Sequence, residues 1–377
     1  YMKKNILVVD DSALMRRVTS DIINADDRFC VTDVAKNGFE ALDIILKNYG
    51  KYQAVVLDIN MPRMSGLEVL EQLEKSKINK LPIIISSTVA IEGAKETIRA
   101  LELGAFDFVT KPDSFTGARN SDFGSNLISR LVVATGLEQT QEIDKEQPKD
   151  SLSKRTQRNI TKEADKSGLV IHNSRKDVVP GSKAVFIACS TGGPKSLHSV
   201  IPYIPKGIEA PVILVQHMPE GFTQTLATRL NELSEITVTE AKDGDILEKG
   251  HVYIAPGGKH LRINGDSIDN MKCEVYMDDY HNGLRPCADI TLESLMNSPY
   301  EEITCVVLTG MGNDATQGIL NLRKTNNLYI ISQDEASCIV YGMPRAIEKT
   351  GLVNEVVPLS KIAISISNHV GVQKKWM

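Results

Sequence analysis

Short apolar runs alternate with longer amphipathic segments over residues 1–135 of the chain. The clearest runs lie at residues 6–9, 54–57, 82–85 and 106–109. Continuous apolar runs between segments of helical periodicity are typical of a parallel sheet that helices cover on both faces. Ser65 and Glu68 have the spacing of a capping box, which predicts that a helix begins there.

This alternation stops after residue 137. The stretch 138–182 is rich in Lys, Glu, Gln, Ser and Thr, and no aromatic residue occurs between Phe123 and Phe186. Such a segment buries too little apolar surface to offset the entropy of ordering it. We predict a flexible linker over residues 136–182, with a solvated surface helix over part of it as the alternative.

A second alternation begins at Lys183. Its apolar runs lie at residues 184–190, 211–217, 251–256, 303–310 and 328–333. Asn264 and Gly265 predict a hairpin turn inserted into the alternation, and a short helix is expected near residues 359–370. The chain therefore predicts two doubly wound α/β domains, at residues 1–135 and 183–377.

Composition narrows the classes of function. The chain is 42% hydrophobic and 24% charged, and its net charge of −5 argues against nucleic acid as a partner, which requires clustered Lys and Arg. No apolar run approaches the length of about 18 residues that spans a bilayer, so no direct membrane insertion is expected. The six cysteines form no C-x-x-C pair, and we expect reduced thiols in a cytoplasmic protein without a signal peptide.

Acidic residues, a hydroxyl and a lysine follow the predicted strands of the first domain. Asp10 and Asp11 come after the first strand, Asp58 after the third, Ser87 at the end of the fourth and Lys111 at the end of the fifth. The carboxyl ends of parallel strands meet at one edge of a sheet. Three carboxylates there repel one another unless a hard cation such as Mg²⁺ joins them. This pattern predicts a site at which an aspartate forms an acyl phosphate.

The segments VVDDS, VLDINMPRMSG, ISS and DFVTKP resemble the signature of bacterial response-regulator receiver domains. The resemblance implies a flavodoxin-like receiver domain in which Asp58 accepts a phosphoryl group from a histidine kinase. It also implies the remaining roles, which are Mg²⁺ ligation by Asp10, Asp11, Asp58 and the Asn60 carbonyl, a switch hydroxyl at Ser87 beside Thr88, and pairing of Lys111 with the phosphoryl group.

The stretch FIACSTGG at residues 186–193 allows three interpretations. A serine raised on a strand-to-helix turn is a nucleophile elbow, although Ala188 stands where the first glycine of G-x-S-x-G belongs. A phosphate-binding loop is the second interpretation, but neither G-x-G-x-x-G nor G-K-[ST] is present. A plain tight turn is the third.

A base and its orienting acid favour the nucleophile. His217 ends the next apolar run and Asp314 follows a later one, so Ser190, His217 and Asp314 can converge at one sheet edge as a triad. Their chain order differs from that of α/β-hydrolases. His281 is the one serious rival as base. Cys189 competes as nucleophile, but side chains alternate along a strand, so it is expected to point into the core.

The segments STGGP, QHMPEGFT, IAPGGKHL, RPCAD, LTGMGNDA and YGMPRA resemble the catalytic domain of bacterial chemotaxis-receptor methylesterases. The resemblance implies a Rossmann-like parallel sheet with Ser190 as nucleophile, His217 as base and Asp314 as orienting acid. Further oxyanion and substrate contacts are implied for Thr191, Gly192, Met311, His281, Arg345 and Arg285. The expected substrates are γ-glutamyl methyl esters of methyl-accepting chemoreceptors, with deamidation of receptor glutamines as a second activity and a chemotaxis histidine kinase as phosphodonor.

The chain departs from the usual motifs of this family at four positions. They are Ala188 and Cys189 in place of Gly-Ala, Ala315 in place of glycine and Cys287 in place of serine. No triad member is lost. We expect phosphorylation of Asp58 to reposition the receiver domain and uncover Ser190. A phosphorylation-controlled DNA-binding protein and a catalytically inactive receptor adaptor remain the alternatives.

Overall fold

The computed structural model describes residues 2–78, 80–88, 91–112, 123–137 and 178–373. The predicted linker lies mostly outside the described residues. The first domain has strands β1 (Lys4–Val9), β2 (Phe29–Ala35), β3 (Ala54–Asp58), β4 (Ile83–Ser87) and β5 (Asp107–Thr110). Its helices are α1 (Ala13–Ala25), α2 (Gly38–Lys47), α3 (Gly66–Lys75), α4 (Ile91–Glu102) and α5 (Phe123–Ala134).

The first sheet has the strand order β2-β1-β3-β4-β5, and all its strand pairs are parallel. The central strands β3 and β4 are buried along their whole length, as expected for strands covered on both faces. The capping box at Ser65 and Glu68 is confirmed at the start of α3. This order is that of the flavodoxin-like fold, and it places the ends of β1 and β3 side by side.

The second domain has strands β6 (Val179–Cys189), β7 (Val212–Gln216), β8 (Thr237–Glu240), β9 (His251–Ile254), β10 (His260–Asn264), β11 (Lys272–Tyr276), β12 (Tyr300–Val307), β13 (Asn327–Gln333) and β14 (Glu355–Val357). Its helices are α6 (Gly193–Val200), α7 (Phe222–Leu233), α8 (Ala288–Ser294), α9 (Thr316–Leu322), α10 (Met343–Glu348) and α11 (Leu359–Val370). Strand β6 thus begins before Lys183, the predicted start of this domain.

The main sheet of the second domain is also wholly parallel, with the order β14-β13-β12-β6-β7-β9-β8. The two edge strands, β8 and β14, were not predicted, because each is short and only partly buried. The predicted hairpin exists as the antiparallel pair β10–β11. Its connection is longer than the predicted Asn264-Gly265 turn and contains a 3₁₀ turn at Ile268–Asn270.

The first domain packs on the second beside the ends of β6 and β7. Helix α4 contacts α6 and α7, and Phe108 stacks on Phe222 with ring centroids 4.8 Å apart. Glu102 lies 2.7 Å from the Arg229 guanidinium Nε and 2.9 Å from His198 Nε2. The described contacts between the domains therefore include a stacked aromatic pair and a partly buried ion pair.

Within the described residues, no helix has both the length and the apolar character needed to cross a bilayer.

Candidate active site and phosphorylation site

Ser190 is the first residue after β6, in a turn that leads directly into α6. Its N–H donates to Thr309 O at 3.1 Å, and its carbonyl accepts from Gly193 N at 2.8 Å. Gly192, the N-cap residue of α6, has a φ of 79°, a left-handed conformation that favours glycine. A Cβ on Gly310 would lie 2.8 Å from Ser190 Cβ, so glycine is required where the loop after β12 passes the serine.

His217 lies beside Ser190 because the two strands are paired in register. Cys189 faces Gln216 across β6 and β7, so the next residue of each strand also faces the other. His217 Nε2 is 2.7 Å from Asp314 Oδ2. An ionised carboxylate only accepts hydrogen bonds, so Nε2 carries a hydrogen, and in a neutral imidazole Nδ1 is then the acceptor. In the described part of the chain, the Ser190 hydroxyl and His217 Nδ1 have no hydrogen-bond partner.

Asp314 is buried and surrounded by donors. Besides His217, its carboxylate accepts from the N–H groups of Ala288, Asp289 and Ala315 at 2.7, 2.9 and 3.0 Å. Cys287 Sγ lies 3.3 Å from Oδ1. Burial raises the pKa of Asp314, but the hydrogen bonds from His217 and the backbone outweigh burial and lower this pKa to about 2. Asp314 is therefore a fixed anion that orients His217.

Two neighbours of this carboxylate, Cys287 and Asp289, are also buried. Burial raises the pKa of Asp289 to about 6, and its Oδ1 accepts from Gly318 N at 2.6 Å. Ligand atoms of Cys287, Asp289 and Asp314 lie within 4.8 Å of one another. Because both oxygens of Asp314 already accept hydrogen bonds, we interpret this cluster as a hydrogen-bonded support for the acid and not as a metal centre.

Cys189 is fully buried beneath Ser190, and burial raises the pKa of its thiol. Its Sγ lies 3.0 Å from Gln216 Oε1. A thiol is a nucleophile only as the thiolate, so this burial argues against Cys189 and in favour of Ser190.

Backbone N–H groups around Ser190 are available to an oxyanion. Those of Thr191, Gly192 and Met311 donate to no acceptor among the described residues. The Thr191 side chain is engaged with the first domain, because its Oγ1 donates to Asp107 Oδ2 at 2.8 Å. The first domain thus contacts the residue next to Ser190.

Two clefts are lined by residues of both domains. The first, of about 730 Å³, is lined by His217 and Arg285 together with Lys111 of the first domain. The second, of about 790 Å³, is lined by Met311 and Arg345. His281 is exposed and does not line the cleft that holds His217.

The predicted phosphorylation site is assembled at the ends of β1, β3 and β5. Carboxylate oxygens of Asp10, Asp11 and Asp58 lie within 4.8 Å of one another, and Lys111 Nζ is 2.8 Å from oxygens of both Asp10 and Asp58. Burial raises the pKa of Asp58 to about 6, against the opposing effect of Lys111. Three carboxylates at this spacing suit a hard cation such as Mg²⁺.

The two remaining predicted residues of this site flank it. Asn60 is exposed just after β3, and its backbone hydrogen bond to Asp58 lowers the pKa of that carboxyl. The Ser87 hydroxyl lies 3.2 Å from Gly93 O and 3.3 Å from Thr88 O, so it bonds to the backbone at the start of α4.

Comparison with known proteins covers both domains. The family described as CheB methylesterase matches residues 185–366, and the response regulator receiver domain family matches residues 6–117. A protein-glutamate methylesterase/protein-glutamine glutaminase of Syntrophomonas wolfei is 38% identical over 96% of this chain and 97% of its own. One from Bacillus subtilis is 39% identical over 97% of this chain and 98% of its own. The crystal structure of the Thermotoga maritima CheB methylesterase catalytic domain is 39% identical, covers 50% of this chain and 99% of its own, and has a TM-score of 0.48.

Proposed function

This chain belongs to the CheB methylesterase family, with an N-terminal response-regulator receiver domain, and from that premise we propose that it hydrolyses glutamyl methyl esters through Ser190, His217 and Asp314. The observation that carries the proposal is the hydrogen bond between His217 Nε2 and Asp314. Ser190 lies beside this pair because Ser190 and His217 follow residues that are paired across β6 and β7. The family is one of carboxylic-ester hydrolases that act on protein glutamate residues.

The proposed chemistry is acyl transfer in two steps. Ser190 Oγ attacks the γ-carbonyl carbon while His217 Nδ1 accepts the hydroxyl proton. His217 then donates this proton to the departing methanol oxygen, and an acyl-serine remains. Water attacks the acyl-serine with the same histidine as base, which releases glutamate and regenerates Ser190.

The negative charge that develops on the carbonyl oxygen needs donors that are already in place. The N–H groups of Thr191, Gly192 and Met311 supply them in this proposal, and each preorganised donor of this kind contributes about 10²–10³-fold to kcat. Deamidation of a glutamine follows the same route with ammonia as the leaving group. The proposed substrates are methyl-accepting chemoreceptors, which places the enzyme in the cytoplasm.

The proposed input is a phosphoryl group from a chemotaxis histidine kinase. Asp58 accepts it, Lys111 pairs with it, and Asp10, Asp11, Asp58 and the Asn60 carbonyl would hold Mg²⁺. When bound, Mg²⁺ supplies positive charge that offsets the phosphoryl oxygens. The Ser87 hydroxyl is now bonded to the backbone of α4. It would turn toward the phosphoryl oxygens, and this hydrogen bond to α4 would be lost.

Gating is proposed to act through the domain interface. Helix α4 packs on α6 and α7, and Lys111 lines the same cleft as His217, so the receiver limits access of a protein substrate to Ser190. Strand β5 carries both Asp107, which holds Thr191, and Lys111 at its end. Movement of β5 on phosphorylation would release Thr191 and open the cleft.

Replacing Asp107 with alanine is expected to raise the activity of the unphosphorylated protein about tenfold. Loss of a hydrogen bond to a charged group removes about 1.5 kcal/mol from the closed arrangement, which is about a tenfold shift in population. Methanol release without phosphodonor measures this effect, and Asp107→Asn is the matched control because it keeps an acceptor oxygen. An unchanged rate in Asp107→Ala would remove this contact from the gating mechanism.

The substrate assignment is tested on receptors in membranes. Full-length protein is incubated with methylated receptor, and receptor peptides are analysed by mass spectrometry for loss of methyl groups and conversion of glutamine to glutamate. We expect both changes. Receptor peptides that bind the protein but keep every methyl group would favour an inactive adaptor, and salt-dependent DNA binding would favour a transcription factor.

A further inference from the structure

The side chain of Gln216 joins the main chains of the two residues that must react together. Gln216 is the last residue of β7 and is 1% exposed. Its Nε2 donates to Ser190 O at 3.0 Å and to His217 O at 3.1 Å. Both N–H groups of the amide thus donate hydrogen bonds, one to the main-chain carbonyl of the nucleophile and one to that of the base.

This bridge lies where the sheet no longer holds the two residues. The hydrogen bond from His217 N to Cys189 O, at 3.2 Å, is the last backbone contact between β6 and β7. Beyond it, Ser190 and His217 lie in separate loops. The Gln216 amide therefore links these two loops directly, through its hydrogen bonds to Ser190 O and His217 O.

The orientation of the amide is fixed by its partners. Two carbonyl oxygens face Nε2, and both can only accept hydrogen bonds. The Cys189 thiol lies 3.0 Å from Oε1 on the other side and donates to it. A flipped amide would place its oxygen against both carbonyls, so the network has one arrangement with every hydrogen bond satisfied.

The start of α6 is built around this amide. A Cβ on Gly193 would lie 1.9 Å from Gln216 Oε1 and 3.1 Å from Cys189 Cβ. Only glycine at this position lets the helix that follows Ser190 pack against the bridge. The bridge thus sets the position of the serine turn as well as that of the histidine.

We propose that Gln216 is a positioning residue for acyl transfer, which sets the separation of Ser190 and His217 and is itself oriented by the Cys189 thiol. The proposal rests on the proposed function of Ser190 and His217. Gln216 is buried and touches no substrate, so its loss lowers kcat while KM stays near the wild-type value. A small displacement of a reacting group costs about 10²-fold in rate.

The first test is Gln216→Met in the full-length protein, assayed by methanol release from methylated receptor. Methionine keeps the length of the side chain but donates no hydrogen bond. We expect kcat to fall about 10²-fold with little change in KM. The control is Tyr253→Phe, which removes the buried hydroxyl that bonds to Ile246 O and Glu248 N away from the site, and whose melting temperature shows the effect of lost stability alone.

The second test uses Cys189, so that a decision is reached even if Gln216→Met does not fold. Cys189→Ala leaves Gln216 Oε1 without its donor, whereas Cys189→Ser restores a donor. We expect kcat to fall several-fold, to about one-tenth at most, in the alanine variant and to recover in the serine variant. Equal kcat values for both variants and wild type, or an unchanged kcat in a folded Gln216→Met protein, would overturn the proposal. If wild type released methanol in that experiment, the proposed function would stand without the bridge.

Discussion

Ser190→Ala is expected to lower kcat for methanol release from methylated receptor by about 10⁵–10⁶-fold, with KM little changed. The variant keeps the backbone N–H groups around the turn, so substrate still binds and the oxyanion donors remain. It lacks the atom that forms the acyl-enzyme. Receptor methanol release by gas chromatography measures the loss, and a serine-reactive phosphonate probe reports whether acylation at the turn is abolished.

Cys189→Ala is the matched control for this prediction, because it removes the neighbouring candidate nucleophile. It is expected to label with the phosphonate and to lose only the several-fold activity that comes from the Gln216 bridge. Full activity in Ser190→Ala would contradict the serine assignment. Abolished activity in Cys189→Ala alone would transfer the nucleophile to the thiol.

Asp314→Asn is expected to lower kcat by about 10⁴-fold. Asp289 and Ala315 donate to Oδ1, whereas Ala288 and His217 approach Oδ2. If the oxygen of an asparagine occupies the position of Oδ1, its NH₂ group occupies the position of Oδ2 and faces His217. Nε2 must then accept the hydrogen bond, the ring hydrogen moves to Nδ1, and Nδ1 can no longer accept the proton of Ser190.

The same substitution is expected to change the dependence of stability on pH. The folded-state pKa of Asp314 is about 2 and its ordinary value is 3.8. Its contribution to the free energy of unfolding is therefore present above pH 3.8 and is lost as the pH falls toward 2. Urea unfolding at several pH values should show this acid-side loss in wild type and a smaller one in Asp314→Asn. Identical pH profiles would contradict a low pKa for Asp314.

The fold was largely predictable because its strands are apolar along their length. The runs that became β3, β4 and β7 are buried along their whole length, and such runs are readily recognised in the sequence. Strands β8 and β14 escaped prediction because edge strands are short and half-polar. The hairpin was predicted in the correct place, but its connection is built on the 3₁₀ turn Ile268–Asn270, which Asn264-Gly265 does not indicate.

The proximity of Ser190, His217 and Asp314 could be predicted because all three lie at or shortly after the ends of apolar runs, and a parallel sheet brings such positions to one edge. The residues that support them could not be predicted. Gln216, Asp289 and Asp107 lie within segments that resemble family motifs, but no role was predicted for any of them. Their partners lie 26, 29 and 84 positions away, and only the fold joins contacts of that separation.

Three of the four departures from the family motifs affect contacts or backbone conformation at the site. Cys189 is the donor to Gln216 Oε1, and Cys287 lies against Asp314. Ala315, the N-cap residue of α9, has a φ of 77°, a conformation that costs a residue with a Cβ about 1–2 kcal/mol. Glycine would adopt it without that cost, and of the four departures only Ala315 has a left-handed backbone.

The central claim is that phosphorylation of Asp58 exposes a serine esterase. Its most direct test is the rate of methanol release from methylated receptor by full-length protein, with Mg²⁺, before and after addition of a small phosphodonor, in wild type and Asp58→Asn. We expect a low rate that rises with the phosphodonor in wild type and stays low in Asp58→Asn. A wild-type rate that the phosphodonor leaves unchanged, or an equal rise in Asp58→Asn, would contradict the claim.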